Sequence, residues 1–190
     1  MESDAGPHLP QHPLAAVVGE VEAHLAEAGW DQPPQLFALV ETDQLLRDEP
    51  QLAQTLGLVA GIPGSLTPVA QEPLDDAPLD EQLHGMVFGT EVLGVVLAHE
   101  VLVLPPAAEA GLAEEADPAA YAAAHPDRRE VRMVAGVLRD GTRACLLRLR
   151  AAGSAPEEVV HGPDLTPGLS AALLATLDVD ASPSSPPPPS

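Results

Sequence analysis

Apolar residues at helical spacing define the first predicted element of the chain. Within residues 13–28, "PLAAVVGEVEAHLAEA", one stripe collects Leu14, Val17, Val18, Val21, Leu25 and Ala28. Recurrence at three and four positions is typical of an amphipathic helix. A second stripe of Leu169, Leu173 and Leu177 predicts another helix over 167–178. We expect both helices to cover a sheet.

Proline marks the predicted helix starts. A run of helix-forming residues follows each of five prolines, Pro13, Pro50, Pro78, Pro118 and Pro167. Proline suits the first turn of a helix because the N–H that it lacks has no partner within the helix there. Asp117 and Thr166 occupy the positions at which a capping side chain belongs.

Alternating and continuous apolar runs predict the strands. The candidates are 36–40, 66–71, 92–104 and the two arms that flank Asp140-Gly141. The run at 92–104, "VLGVVLAHEVLVL", is apolar at both its odd and its even positions. A strand that is apolar on both faces belongs in the middle of a sheet.

The Asp140-Gly141 dipeptide indicates a β-hairpin, and hence antiparallel pairing. A two-residue turn there predicts that Leu138 faces Arg143 and that Val134 faces Leu147. The fold class that follows is α+β: a single domain, with an antiparallel sheet of four or five strands and helices packed on it.

Composition divides the chain into a core and two polar ends. Residues 1–12 and the Pro/Ser-rich residues 180–190 cannot bury enough apolar area to offset their ordering entropy, so we expect both to be disordered. The predicted domain spans 13–179. Only four aromatic residues are present in 190, so aliphatic side chains must fill the core.

Charge excludes two classes of partner. The formal net charge is -21, and all eight basic residues are arginine. Such a field repels phosphate backbones and anionic membrane surfaces, so we expect neither nucleic acid nor membrane as a partner. The first residues lack the basic and apolar regions of a secretory signal, and one cysteine forms no internal disulfide. We expect a cytoplasmic protein.

Seven of the eight arginines lie in the segment 128–150. Glu100 interrupts the most apolar strand, and a carboxylate there is costly unless it is paired. The residues leave two partners open for a structural ion pair, Arg132 and Arg148. The segment also offers a set of contacts for an anion or a protein partner, namely Arg128, Arg129, Arg132 and Arg143.

Candidate chemistry elsewhere is weak. Glu20, His24 and Glu27 share one side of the first helix, where a solvated face explains them better than a metal site does. Cys145 has no neighbouring base in the sequence, so we interpret it as a buried, inert thiol. No phosphate-binding loop or nucleophile elbow is present. We therefore predict no catalytic, cofactor or metal residue, and we favour a protein that is not an enzyme.

Several segments together resemble an uncharacterised protein family of actinobacteria. They are "AGWDQPPQLFALV" (28–40), "LTPVAQEPL" (66–74), "VVLAHEVLVLPP" (95–106), "AHPDRREVRMVAGVLRDGTRACLLRLR" (124–150) and "GPDLTPGL" (162–169). The resemblance covers about 14–178. It implies a bacterial, cytoplasmic setting, and it transfers no activity, cofactor or site residue.

Two functional hypotheses follow. The first is a non-enzymatic cytoplasmic binding or adaptor protein that acts through protein contacts, either with another protein or by self-association. The alternative is a small-anion binder or enzyme that holds a carboxylate or phosphate with the Arg-rich hairpin.

Overall fold

The computed structural model describes residues 12–59, 62–74, 77–104, 108 and 117–178. Its helices are α1 (Pro13–Ala28), α2 (Thr42–Asp48), α3 (Pro50–Thr55), α4 (Leu79–His84), α5 (Pro118–Ala124) and α6 (Pro167–Thr176). Its strands are β1 (Gln35–Glu41), β2 (Leu66–Ala70), β3 (Gly94–Val103), β4 (Arg129–Leu138), β5 (Arg143–Leu149) and β6 (Glu158–Gly162). The predicted disordered ends are 1–12 and 180–190, and apart from His12, whose Nδ1 accepts a hydrogen bond from Leu14 N, they lie outside the described residues.

The six strands form one antiparallel sheet in the order β2-β1-β3-β4-β5-β6. The α+β class is confirmed, and so is the interior position of the doubly apolar strand β3. The predicted number of four or five strands is wrong. The strand that was missed is β6, a five-residue edge strand that is mostly exposed. It therefore lacks the apolar alternation that buried strands display.

The prediction of a hairpin at Asp140-Gly141 is confirmed, but the predicted register is wrong. The loop has three residues, because Leu138 N donates to Thr142 O at 2.9 Å. Gly141 has a φ of 86°, which favours glycine, and Asp140 Oδ1 accepts a hydrogen bond from Thr142 N.

The extra loop residue shifts the pairing by one position. Val134 therefore faces Leu146 instead of Leu147, and Arg143 faces Val137 instead of Leu138. A shift of one residue exchanges the two faces of a strand, so it reassigns every side chain of β5.

Two aliphatic layers enclose the sheet. On one face α1 packs over a cluster that includes Val96, Val134 and Leu146. At Gly136 the helix comes so close that an added Cβ would lie 2.9 Å from Val18 Cγ2. On the other face α6 covers a cluster formed by residues such as Val95, Leu97, Val137 and Cys145.

Proline begins the helices as predicted. It is the first residue of α1, α3, α5 and α6, and Pro78 immediately precedes α4. Asp117 caps α5 by accepting a hydrogen bond from Ala120 N at 3.0 Å. Thr166 makes no such bond to α6, and its hydroxyl lies 3.1 Å from the Cys145 thiol instead. Among the described residues, no helix has the length and apolarity needed to cross a bilayer.

Candidate functional site

Arg132 is a buried cation in the interior of the sheet. Its side chain is 2% exposed, and it lies directly opposite Glu100 in the β3–β4 pairing. Its Nη2 and Nε lie 2.7 Å and 3.0 Å from Glu100 Oε1, and Nη2 also donates to the Gly29 carbonyl. The structure therefore brings together Glu100 and Arg132, one of the two partners left open by the sequence.

Arg148, the other possible partner of Glu100, pairs elsewhere. Its Nη2 lies 2.5 Å from Glu22 Oε2, its Nε donates to Glu22 Oε1, and its Nη1 lies 2.6 Å from Glu157 Oε1. The hydrogen bonds from Arg148 to Glu22 hold the pKa of the guanidinium above its ordinary value.

Glu22 was missed by the sequence interpretation, although it is almost fully buried on α1. Besides its bonds to Arg148, its Oε1 lies 3.6 Å from Arg132 Nη1. A signal was present, because Glu22 follows Val18 by four positions and precedes Leu25 by three. A carboxylate inside an apolar stripe predicts a buried partner. Glu22 thus ties α1 to both β4 and β5.

Trp30 closes this network at the end of α1. Its ring lies 4.8 Å from Arg132 Cζ and 5.4 Å from Arg150 Cζ, within the range of cation–π attraction. Arg150 also donates to Glu130, and Glu100 Oε2 accepts a hydrogen bond from Asp31 N at 2.7 Å. Arg132 of β4 and Arg150, the residue after β5, therefore anchor the turn that follows α1.

Arg139 anchors a different part of the chain. Its Nε donates to Val92 O at 2.7 Å and its Nη2 to Phe88 O at 3.0 Å, and it also donates to the carbonyls of Gly89 and Leu177. It therefore joins the hairpin loop to the segment before β3 and to the end of α6. These acceptors are main-chain oxygens. Because every residue carries one, the sequence does not show which residues Arg139 contacts.

The four arginines predicted as anion or partner contacts do not converge. Arg128 lines a cavity of about 220 Å³, Arg129 donates to the carbonyls of Arg150 and Pro156, and Arg132 is buried as described. Arg143 lines cavities of about 520 and 360 Å³ at the other end of the hairpin. Eight positions of β4 separate Arg129 from Val137, the residue opposite Arg143, which is roughly 26 Å at a rise of about 3.3 Å.

The histidine, cysteine and carboxylate side chains that could be reactive do not form a catalytic or metal-binding group within the described residues. Burial lowers the pKa of His99, against the opposing effect of Glu100, and His99 Nδ1 has no hydrogen-bond partner among the described residues. Cys145 is buried beside Thr166. The three polar residues considered on α1, Glu20, His24 and Glu27, are exposed. Within the described ranges, no group of three or more His, Cys, Asp or Glu side chains is placed to hold a metal ion.

A run of exposed apolar residues begins in α3 and continues after its end. Four of the large exposed hydrophobic residues are close in sequence, with exposed fractions of 36% for Leu52, 43% for Leu56, 78% for Val59 and 81% for Ile62. We call these four residues the apolar patch. α3 packs mainly against α2, which in turn packs on β1. The patch therefore lies on the β1–β2 side of the molecule.

A family model covers residues 14–178 of the chain, which is the range over which the sequence resemblance was found. The chain belongs to the PPA1309-like protein family. This family is uncharacterised and takes its name from a protein of Propionibacterium, an actinobacterium, so the predicted family is confirmed. No curated protein and no solved structure matches the chain.

Proposed function

We propose that the protein is a non-enzymatic, cytoplasmic binding or adaptor protein and that the apolar patch is the surface that contacts its protein partner. The exposure of the patch carries this proposal. Val59 and Ile62 are about four-fifths exposed, and they follow closely in sequence on Leu52 of α3 and on Leu56, which comes one helical turn after Leu52 and just past the end of α3. Large apolar side chains grouped on a surface mark interaction sites, whereas single ones are ordinary.

Energy supports this choice of surface. Full burial of a Leu, Ile or Val side chain gains about 1.5–3 kcal/mol relative to exposure. Val59 and Ile62 are mostly exposed, so most of this free energy would be gained when a partner buries them. The hairpin arginines contribute less to binding, because five of them already donate to carboxylates or to several carbonyls of their own chain.

Charge supports a basic, amphipathic partner. The exposed carboxylates Asp48 and Glu49 immediately precede α3, and the whole chain carries a formal net charge of -21. A partner segment with apolar and basic residues would bury the patch and meet this acidic rim. Complementary charge of this kind accelerates encounter and excludes acidic partners.

Peptide selection tests the proposal. A display library of random 20-residue peptides is selected on the full chain, and the affinities of the selected peptides are measured by fluorescence anisotropy. We expect basic, amphipathic peptides whose affinity falls at least tenfold for the double variant Leu56→Ser/Ile62→Ser.

The matched control is Val87→Ser/Leu102→Ser, which changes two exposed apolar residues elsewhere on the surface. Its affinity should equal that of the wild type, and melting curves should show that both double variants are folded. The proposal is wrong if no peptide is selected, if the selected peptides are not basic, or if both double variants lose binding equally.

A second candidate function, the binding of a small carboxylate or phosphate, is favoured by Arg143. Its side chain is 34% exposed, and its ion pair with Asp164 is long, at 3.9 Å. The cavity of about 520 Å³ places Arg139 and Arg143 beside the apolar residues Ala171 and Leu174 of α6. Thermal-shift measurements with inorganic phosphate and with butyrate test this. A rise in melting temperature that Arg143→Met abolishes is expected, and no rise with either anion contradicts it.

A further inference from the structure

The outer edge of β6 presents main-chain groups that are unpaired within the part of the chain that the structure describes. Arg150 N donates to Glu130 O at 2.8 Å, so the even-numbered residues of β5 direct their main-chain groups towards β4. The odd-numbered residues of β5 therefore bond to β6, where their partners are Glu158, Val160 and Gly162. Val159 and His161 consequently direct their N–H and C=O groups outwards. No described residue pairs with these groups.

The opposite edge of the sheet is protected by a proline, whereas the β6 edge has no proline. Gln71 N donates to Leu36 O, and hydrogen-bonded and non-hydrogen-bonded pairs alternate along the strands, so the pair Leu39–Pro68, three positions further on, is a non-hydrogen-bonded one. Position 68 of β2 therefore faces outwards, and proline has no N–H there to offer an added strand. Natural sheets blunt their edges with such prolines, with lysines or with bulges. Between Glu158 and Gly162, β6 has no proline, lysine or bulge, and its Val159 is exposed. Its protection is limited to its short length and to the carboxylate of Glu158.

We propose that β6 pairs antiparallel with β6 of a second copy of this chain, with the two-fold axis at Val160. In this register Val159 faces His161 of the second copy, Val160 faces its equivalent, and Glu158 faces Gly162. The residues with outward main-chain groups meet, so four main-chain hydrogen bonds form by symmetry.

The other two-fold registers of β6 are poorer. An axis at Val159 pairs only three residues of the strand with one another. An axis at His161 places two histidines opposite each other and sets Val159 against Pro163. The register at Val160 pairs all five residues of β6 and opposes no like charges. Self-complementarity of this kind is what an isologous interface requires.

The paired sheets would be continuous, with twelve strands and the two apolar patches far apart. β6 and β2 lie at opposite edges, five strand spacings or about 24 Å from each other in one copy. A dimer through β6 therefore leaves both apolar patches free at its two ends. This inference goes beyond the proposed partner surface, to which it adds bivalence.

Two features determine how the dimer should respond to conditions. A strand pairing of five residues is short, so dimerisation should be weak and dependent on protein concentration. Each copy carries a formal charge of -21, so the two copies repel and added salt should strengthen their pairing. Binding of a basic peptide to the apolar patch should weaken with salt, so the two interactions are distinguishable.

Sedimentation equilibrium of the full chain tests the pairing. The protein concentration runs from about 10 µM to about 1 mM, which is on the order of the concentrations at which weak interfaces assemble, and each series is measured in about 50 and about 500 mM NaCl. We expect a monomer–dimer equilibrium that shifts towards dimer at the higher salt. Val159→Pro removes an outward N–H without breaking a bond to β5, so it should be monomeric. Val159→Thr keeps that N–H and should dimerise.

Cysteine cross-linking tests the register and does not depend on the proline variant. Facing residues of a non-hydrogen-bonded pair have Cα atoms about 4.5 Å apart, within the range that a disulfide spans. Val160→Cys should therefore cross-link to its equivalent under mild oxidation, whereas Glu158→Cys, which faces Gly162, should not.

A monomer at 1 mM protein in both salts, or equal cross-linking of the two cysteine variants, would overturn the inference. Patch binding is measured separately, with the selected peptide on the monomeric Val159→Pro variant. If that binding persists while the wild type never dimerises, only the dimer is refuted.

Discussion

Replacement of Arg132 by methionine tests whether the hairpin arginines hold the fold together. Methionine matches the length of the arginine stem, so the change removes charge and hydrogen bonds more than volume. The substitution removes the hydrogen bonds to Glu100 and Gly29, the ion pair with Glu22 and the cation–π contact with Trp30.

The magnitude follows from what remains around the lost cation. Breaking a buried ion pair by removing one partner costs about 3–5 kcal/mol. Glu100 is 16% exposed and keeps the hydrogen bonds from Asp31 N and Gln32 N, while Glu22 keeps Arg148. We therefore expect the lower end of the range, about 3 kcal/mol. That is a large part of the roughly 5–15 kcal/mol by which a domain is stable.

Urea unfolding at pH 7 measures the loss, followed by circular dichroism and by the fluorescence of Trp30, the one tryptophan in the chain. The matched control is Arg143→Met, the same change on the same hairpin. Because the Arg143–Asp164 pair is long and largely exposed, it should cost less than about 1 kcal/mol. Equal losses for Arg132→Met and Arg143→Met would refute the structural role of the buried cation.

Two further predictions concern packing and pH. Gly136→Ala should lower the free energy of unfolding by about 1–3 kcal/mol, because its Cβ would lie 2.9–3.2 Å from Val18, Leu14 and Val96. Gly19→Ala, in open space on α1, should not destabilise the protein in the same urea titration. The lowered pKa of His99 means that the unfolded chain binds its proton more readily, so stability should fall as pH drops below 6.5. His99→Asn should flatten that fall between pH 7.5 and 5.5, whereas a variant with an unchanged slope would contradict the assignment.

The sequence was sufficient to predict those helices and strands that are marked by a pattern of their own residues. The α1 stripe from Leu14 to Leu25 is buried as its spacing requires, and the prolines begin helices because of their backbone chemistry. The run of β3 is apolar on both faces, which only an interior strand permits. Each of these signals depends on local residues and needs no knowledge of their neighbours.

Other features depend on pairing that no local pattern contains. β6 was missed because an edge strand buries little and needs no alternation. Asp140-Gly141 suits both two-residue and three-residue loops, so the register of β5 stayed undetermined by one position. Glu22 stands inside an apolar stripe, yet its partners come from strands more than a hundred residues away. The apolar patch could likewise not be predicted from the sequence, because the exposure of Val59 and Ile62 is a property of the folded chain.

The central claim, that partner binding uses the apolar patch while the arginines serve the fold, is tested most directly by an NMR titration. The selected basic peptide is added to the ¹⁵N-labelled full chain, and the perturbed amide resonances are mapped. The account predicts perturbations of α3 and of residues 57–59, with the amides around Arg128 and Arg143 unchanged. Perturbations centred on Arg128 or Arg143, with α3 unaffected, would contradict it.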